Sequence, residues 1–184
     1  MSEYGAVTEP GTVRIERMLP GPIERVWHYI TDSDKRRTWL AQGAIELRVG
    51  GSAEHVFRNS ELSTPDDPPP AKYAAYPEPS VMNGIVTACD PPRLLAYTWS
   101  EGEGRESEVR FELAPAGAQV RLVVTHARLT TREDMVGVAG GWHTHLGILA
   151  ARLEGRDPGS FWTTHMKHEA VYERLIPQEG AVAG

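Results

Sequence analysis

Residues 132–154 read REDMVGVAGGWHTHLGILAARLE, and this stretch decides the fold. Its bulky apolar residues recur at steps of four, four, three and four, the period of one helix face; they are Val138, Trp142, Leu146, Leu149 and Leu153. Thr131 is suited to be the N-cap of this helix, and Gly155 is suited to the position just beyond its end. The pattern predicts a long amphipathic helix late in the chain.

Alternating apolar and polar residues before this helix predict a series of antiparallel strands. The predicted strands are residues 12–19, 44–49, 52–58, 82–88, 94–100, 107–113 and 119–129, with a flexible hairpin tip at 101–104. Two short helices, at 22–31 and at 33–40 with Ser33 as N-cap, follow the first strand, and a further helix is predicted at 160–175. A helix that follows antiparallel strands packs most economically across the concave side of a curled sheet. We therefore expect an α+β fold in which a sheet of six or seven strands wraps around the long C-terminal helix.

The segment 61–79 interrupts the strand pattern. It holds six of the chain's 14 prolines, so it fits neither a central strand nor a helix interior. We interpret residues 60–80 as a proline-rich flap. The predicted organisation is a flexible tail at 1–11, one domain at 12–155 that carries the flap, and a tail helix with a disordered C-terminus at 156–184.

Composition restricts the classes of function. The chain has 184 residues and a net charge of −6, which argues against binding nucleic acid through a broad basic surface. No apolar run reaches the roughly 20 residues of a membrane helix, and the N-terminus lacks signal-peptide features, so we expect a cytoplasmic protein without a membrane partner. Cys89 is the single cysteine, which excludes an intramolecular disulfide, and we expect a buried structural thiol. No phosphate-binding glycine loop, CxxC pair or nucleophile elbow is present, so no cofactor is predicted.

Several segments resemble one known superfamily. They are RIERMLPGPIERVWHYITDSDKRRTWL (14–40), GIVTACDPPRLLAYTW (84–99), LVVTHARL (122–129) and GGWHTHLGILAARLEG (140–155). The first is similar to the opening strand and helix pair of START-like proteins, the second to their central hairpin, and the last two to the closing strand and gripping helix. Together they resemble the bacterial subfamily named after the activator of the heat shock protein 90 ATPase. The resemblance covers residues 12–155 and implies a helix-grip fold.

Strand and helix parity predicts which side chains point between sheet and helix. We expect them to line a hydrophobic cavity that binds a ligand, with Arg17, a strand residue of the same parity, among them. The candidate ligand-binding residues are Arg17, His55, Phe57, Tyr97, Trp99, Phe111, Leu122, Val124, His126, Trp142, His145, Leu146 and Leu149. A buried Arg17 guanidinium needs an anionic partner, either a carboxylate of the protein or a ligand. The alternative is an arginine at the edge of the sheet that pairs with Glu46 or Glu106.

The histidines leave three alternatives open. The inward His55, His126 and His145 could bind a metal, act as a general base, or be buried groups satisfied by hydrogen bonds. Metal binding needs about three convergent ligands, and the sequence does not predict such a site. His143 is rotated by about 100° from Trp142 and should lie at the edge or outside. His165 and His168, on the tail helix, are expected at the surface.

Three functions remain as hypotheses. The first is binding of a small, largely hydrophobic or amphipathic molecule between sheet and long helix. The second is an enzyme of cyclase or hydrolase type that uses an inward histidine, although no catalytic residue is assigned. The third is a chaperone-associated interaction module, supported by fold analogy alone. A homodimer is compatible with each, with Phe161, Trp162 and Tyr172 as its candidate contact.

Overall fold

The computed structural model describes residues 2–100 and 106–178. One antiparallel sheet of seven strands runs in the order β1-β2-β7-β6-β5-β4-β3. The strands are β1 Ala6–Glu9, β2 Thr12–Pro20, β3 Ser52–Phe57, β4 Ser80–Asp90, β5 Leu94–Ser100, β6 Glu106–Ala116 and β7 Gln119–Ala127. The predicted hairpin tip at 101–104 and the last six residues of the predicted C-terminal tail lie outside the described residues.

The helices confirm the predicted order, but α2 ends at Arg36 instead of near residue 40, and the flap contains a short helix, α3, that was not predicted. They are α1 Ile23–Thr31, α2 Ser33–Arg36, α3 Ala71–Ala74, α4 Arg132–Glu154 and α5 Phe161–Leu175, with a 3-10 turn at Asn59–Leu62. The fold is α+β, and α4 packs on the sheet as a helix grip requires. Asp32 rather than Ser33 caps α2, since its carboxylate accepts from the Lys35 N–H at 2.9 Å.

The long helix α4 begins and ends as predicted. The Thr131 hydroxyl accepts from the Asp134 N–H at 3.0 Å, and the Asp134 carboxylate accepts from the Thr131 N–H at 3.1 Å, which completes a capping box. Gly155 ends the helix at a φ of 69°, a left-handed conformation that favours glycine. Trp142, Leu146 and Leu149 are buried against the concave side of the sheet.

Residues 44–49 do not form the predicted strand. Ile45 forms a single isolated bridge with Ala53 of β3, and Gln42, before the segment, forms another with Val56. The backbone then turns back on itself, because the Arg48 N–H donates to the Glu46 carbonyl at 2.8 Å. Leu47 and Val49 are exposed, so the alternation in the sequence has no apolar face to bury.

The predicted tail at 1–11 contains the edge strand β1. Ala6 pairs with Arg14, and Val7 pairs with Val13. All four residues of β1 are exposed. Backbone hydrogen bonds therefore hold this strand, and such bonds leave no hydrophobic pattern in a sequence.

The proline-rich flap is anchored on α5. The Asp67 carboxylate accepts from the Trp162 N–H at 2.7 Å and from the Thr163 hydroxyl at 2.6 Å. Lys72 and Tyr73, at the α3 end of the flap, contact the buried Glu169 of α5. Through the part of the chain that the structure describes, no helix is both long enough and apolar enough to cross a membrane.

Candidate functional site

A cluster of aromatic rings covers the concave face of the sheet beneath α4. Trp142 of α4 contacts Trp99 and Phe111 edge-on, each with 5.5 Å between ring centroids. Tyr97 lies 5.9 Å from Phe111 and 4.9 Å from His55. We call this set the concave cluster; its members are His55, Phe57, Tyr97, Trp99, Phe111, His126 and Trp142.

Sequence parity placed these seven residues together, and the structure brings them into contact. Leu122, Val124, Leu146 and Leu149 are buried in the same core. The rings of the concave cluster touch one another, so the space beneath Trp142 is occupied largely by side chains. Whether these residues bind a ligand stays a prediction.

A chain of hydrogen bonds fixes His126. The Trp142 indole N–H donates to His126 Nδ1 at 3.0 Å, so the ring proton must sit on Nε2. His126 Nε2 then donates to the Ser107 hydroxyl at 2.7 Å, and Ser107 donates to the Trp99 carbonyl at 3.1 Å. Burial lowers the pKa of His126 to about 3. Both ring nitrogens are committed and the ring is neutral, so His126 ties α4 to the sheet and has no nitrogen left for a reacting proton.

His145 points away from the concave cluster. Its Nδ1 donates to the Trp39 carbonyl at 2.7 Å, and its ring lies 5.2 Å from that of Phe161. Burial, as the largest cause, lowers its pKa to about 4. His145 therefore joins α4 to the segment after α2 and to α5.

His55 is the polar exception within the concave cluster. It is fully buried, and neither ring nitrogen has a hydrogen-bond partner in the described structure. The Ala53 carbonyl is near enough to favour the charged ring slightly, but it does not meet hydrogen-bond geometry. Burial, followed by the positive charge of Arg36, lowers the pKa of His55 to about 3. A neutral ring presents one N–H donor and one acceptor.

Arg36, which the sequence analysis did not single out, is a fully buried cation beside this histidine. Its guanidinium donates to the Thr31 carbonyl at 3.0 Å and also to carbonyls of Gly43 and Glu54. Its Nε–H has no partner. Arg36 therefore joins the end of α1 to β3, and one of its donors is unused. Arg36 lies in the basic run Lys35-Arg36-Arg37, and nothing in that run distinguishes the buried arginine from its exposed neighbours.

Arg17 lies outside the concave cluster, on the side of α4 that faces α5. Its guanidinium lines a cavity of about 250 Å³ together with His143, His168 and the beginning of α5. It is half-buried and donates to the Glu16 carbonyl at 2.8 Å. The predicted pairing of Arg17 with Glu46 or Glu106 is wrong, because no carboxylate of the described residues lies within 4.0 Å of it. We call this space the flank cavity; a second space of about 480 Å³ lies between the flap and the loop after α4.

The predicted positions of the other three histidines are also wrong. His143 and His165 are buried, and His168 is half-buried, because α5 packs along α4. The rings of His143 and His168 stack with 3.8 Å between centroids. His165 contacts the Tyr73 hydroxyl at 3.0 Å and the Glu169 carboxylate at 3.4 Å. Phe161, Trp162 and Tyr172, predicted to form a homodimer contact, are covered by the chain's own residues.

The described residues offer no cluster of three or more His, Cys, Asp or Glu side chains that could hold a metal ion. Cys89 is partly exposed, although the sequence predicted a buried thiol. Its partial burial, followed by the charge of Asp90, raises the pKa of the thiol. The described residues therefore provide neither a metal site nor a reactive thiolate.

Comparisons with known proteins match this architecture. Residues 71–154 match the family described as Activator of Hsp90 ATPase homolog 1-like protein. A Bordetella parapertussis protein solved by solution NMR is 47% identical, with a TM-score of 0.79 over 96% of this chain and 92% of that one. A search of curated proteins finds no significant match.

Two more distant structures share the fold. CalU16 from Micromonospora echinospora is 22% identical, with a TM-score of 0.63 over 94% of each chain. DynU16, a protein in the dynemicin biosynthetic locus, is also 22% identical, with a TM-score of 0.62 over 80% of this chain and 49% of that one. The helix grip, the family match and these relatives together place the protein: it belongs to the START-like superfamily, in the family of Activator of Hsp90 ATPase homolog 1-like proteins.

Proposed function

We propose that the domain binds a small, largely hydrophobic ligand between the sheet and α4, with a polar group of the ligand against His55. The apolar part of the ligand would lie among the rings of the concave cluster. Aromatic side chains with a few convergent polar groups are the usual lining of small-molecule sites. The superfamily fold supports this class of function.

The observation that carries the proposal is the unpaired His55 ring. A buried polar group without a partner costs about 1–3 kcal/mol, so such a residue needs an explanation. His55 is held among apolar rings by Phe57, Tyr97 and Trp99, with centroid distances between 4.9 and 6.0 Å. The two ring nitrogens point in diverging directions, so a hydroxyl of the ligand would satisfy one of them and a second polar group would be needed for the other. The unused Nε–H of Arg36 adds a second buried donor near this position.

Ligand entry would require the rings to part, because they are in mutual contact. Edge-on ring pairs contribute only about 0.5–1.5 kcal/mol beyond their burial, so a ligand of similar apolar area can replace them. Trp99 and Trp142 lie at the centre of this rearrangement. Their fluorescence is therefore a direct reporter of binding.

The test compares the wild-type chain with His55→Phe against fatty acids, hydroxylated aromatic compounds and polyketide-like compounds. We expect at least one class to change the tryptophan emission and raise the Tm of the wild type. His55→Phe removes the unpaired polar atoms and keeps a planar ring, so the free variant should be more stable, by about 1 kcal/mol or more, yet bind that class at least about tenfold more weakly.

Ile85→Thr is the matched control, because Ile85 is exposed on β4. It should leave both affinity and emission unchanged. The proposal fails if no class of compound shifts either signal. It also fails if His55→Phe binds the active class as tightly as the wild type does.

A further inference from the structure

The flank cavity contains a cation that the protein itself does not neutralise. Arg17 extends from β2 into this space, and its one hydrogen bond among the described residues goes to the neighbouring Glu16 carbonyl. Arg156, which also lines the cavity, is paired with Glu154. Arg17 therefore has guanidinium N–H groups left for an anionic partner.

His143 adds a neutral donor beside Arg17. The Tyr172 hydroxyl accepts from the Gly5 N–H at 2.7 Å and lies 3.0 Å from His143 Nδ1. The hydroxyl proton is satisfied if it is donated to Nδ1, which leaves the His143 ring proton on Nε2. Burial, and then the charges of His168 and Arg17, lower the pKa of His143 to about 3. His143 thus lines the cavity as an uncharged hydrogen-bond donor.

Part of the cavity lining is apolar. Ile148 and Ala151 of α4 and Phe161 of α5 belong to it, and each is at least 95% buried. Two carboxylates, Glu3 and Asp157, line the same cavity, and Asp157 accepts from the Gly159 N–H at 2.9 Å. One unpaired cation opposed by these carboxylates favours a single negative charge over a dianion.

We propose that the flank cavity binds a small monocarboxylate with an apolar body. The carboxylate lies against Arg17 and His143, and the apolar body lies against Ile148, Ala151 and Phe161. The volume of about 250 Å³ is near the lower limit of small-molecule pockets, which restricts the ligand to a few carbon atoms beyond its carboxylate. This site is separate from the concave cluster, so either site can exist without the other.

The experiment titrates the ¹⁵N-labelled full chain with isovalerate, with isovaleramide as the uncharged analogue and inorganic phosphate as a purely ionic probe. We expect isovalerate to shift the amides of Arg17, Gly147, Ile148 and Thr164 at concentrations where the other two do not. Arg17→Met keeps the apolar stem and should weaken isovalerate about tenfold or more. Glu3→Gln removes one of the two opposing charges and should tighten the binding of isovalerate.

Two further variants keep the test independent of folding. Arg14→Met, on the same strand but paired with Glu16, should leave the affinity unchanged. Gly147→Leu fills the cavity from α4, where an added side chain meets open space, and should abolish binding in a folded protein. The proposal is overturned if Arg17→Met or Gly147→Leu binds isovalerate as the wild type does. Equal shifts with phosphate, or shifts confined to the concave cluster, overturn it as well.

Discussion

At the scale of single residues, the interior of this domain depends on polar side chains that have fixed partners. His126 accepts from Trp142 of α4 and donates to Ser107 of β6, so one neutral ring joins the helix to the sheet. Each nitrogen of a buried imidazole needs its own partner, and the chain supplies both here. His55 has neither, although it lies on the same concave face. This contrast gives His126 a structural role and makes His55 the candidate for ligand binding in the proposed function.

Removing the Ser107 hydroxyl tests the His126 chain. Ser107→Ala leaves the His126 Nε2–H buried without an acceptor, which should lower the free energy of unfolding by about 1–3 kcal/mol. Urea denaturation followed by tryptophan fluorescence measures the change. Ser80→Ala, at an exposed serine of β4, is the control and should stay within about 0.5 kcal/mol of wild type. Equal stability of the two variants would show that the Ser107 bond contributes nothing.

At the scale of elements, the close approach of α4 and α5 explains two adjacent glycines. An added Cβ at Gly140 would lie 3.3 Å from the Glu169 Cα, whereas at Gly141 it would meet nothing within 4 Å. Both residues lie inside α4, where glycine costs about 1 kcal/mol relative to alanine. The lack of a side chain at Gly140 therefore allows α5 to pack closely against α4. Gly141 lowers helix stability without allowing any such contact.

The two glycines make a matched pair of substitutions. Gly141→Ala should raise the free energy of unfolding by up to about 1 kcal/mol, because helix propensity is gained without a clash. Gly140→Ala should lower it, because the backbone of α5 must move and the buried Glu169 contacts with it. Thermal and urea denaturation of both variants measure the difference. A gain at both positions would contradict the inferred tight contact.

The flap and α5 depend on each other through Asp67. Its carboxylate caps the beginning of α5, where the Trp162 and Thr163 N–H groups would otherwise lack acceptors. Asp67→Ala should cost about 1–2 kcal/mol and should expose the proline-rich flap to limited proteolysis. The neighbouring Asp66 is exposed, so Asp66→Ala serves as control. If the two variants were cleaved at the same rate, the anchoring role of Asp67 would be refuted.

These elements also show what the sequence could predict. Arg132–Glu154 was predicted to the residue because helix periodicity and capping are local signals. The burial of His165 and Glu169 was missed because docking of α5 on α4 is a long-range contact. A signal was nevertheless present, since both residues share the helix face that also carries Phe161 and Tyr172. Leu47 and Val49 show the opposite error, in which a local pattern predicted an element that does not form. Their alternation suggested a strand, but both side chains are exposed.

The same limit applies to the candidate sites. Strand parity was enough to group His55, Tyr97 and Trp99, because parity follows directly from strand geometry. It could not show that His55 lacks partners, since hydrogen bonding depends on neighbours from other elements. The flank cavity needed the position of α5 against Arg17 and His143, which no local pattern encodes.

At the scale of the whole molecule, buried neutral histidines make the fold sensitive to acid. The pKa of His55, of His126 and of His143 is lowered to about 3, and that of His145 to about 4; those of His165 and His168 are lowered as well. Burial is the first cause in each. The unfolded chain, with histidine pKa values near 6.5, binds more protons than the folded chain below that pH.

Stability should therefore be nearly constant between about pH 7 and 8 and should fall as the pH drops from about 6.5 toward 4, because folded pKa values below the unfolded value favour the protonated unfolded chain. Each such histidine contributes a slope of about 1.4 kcal/mol per pH unit in that window. Urea denaturation at a series of pH values gives the slope of the unfolding free energy against pH. Between about pH 5 and 6 we expect this slope to be at least three times the contribution of one histidine. His55→Phe should reduce the slope by the contribution of one histidine. Ser107→Ala removes no titrating group, so it should lower the unfolding free energy at every pH and leave the slope unchanged. A slope unchanged in His55→Phe would mean that His55 takes up a proton in the folded protein as readily as in the unfolded chain. Its burial as an unpaired neutral ring would then be refuted.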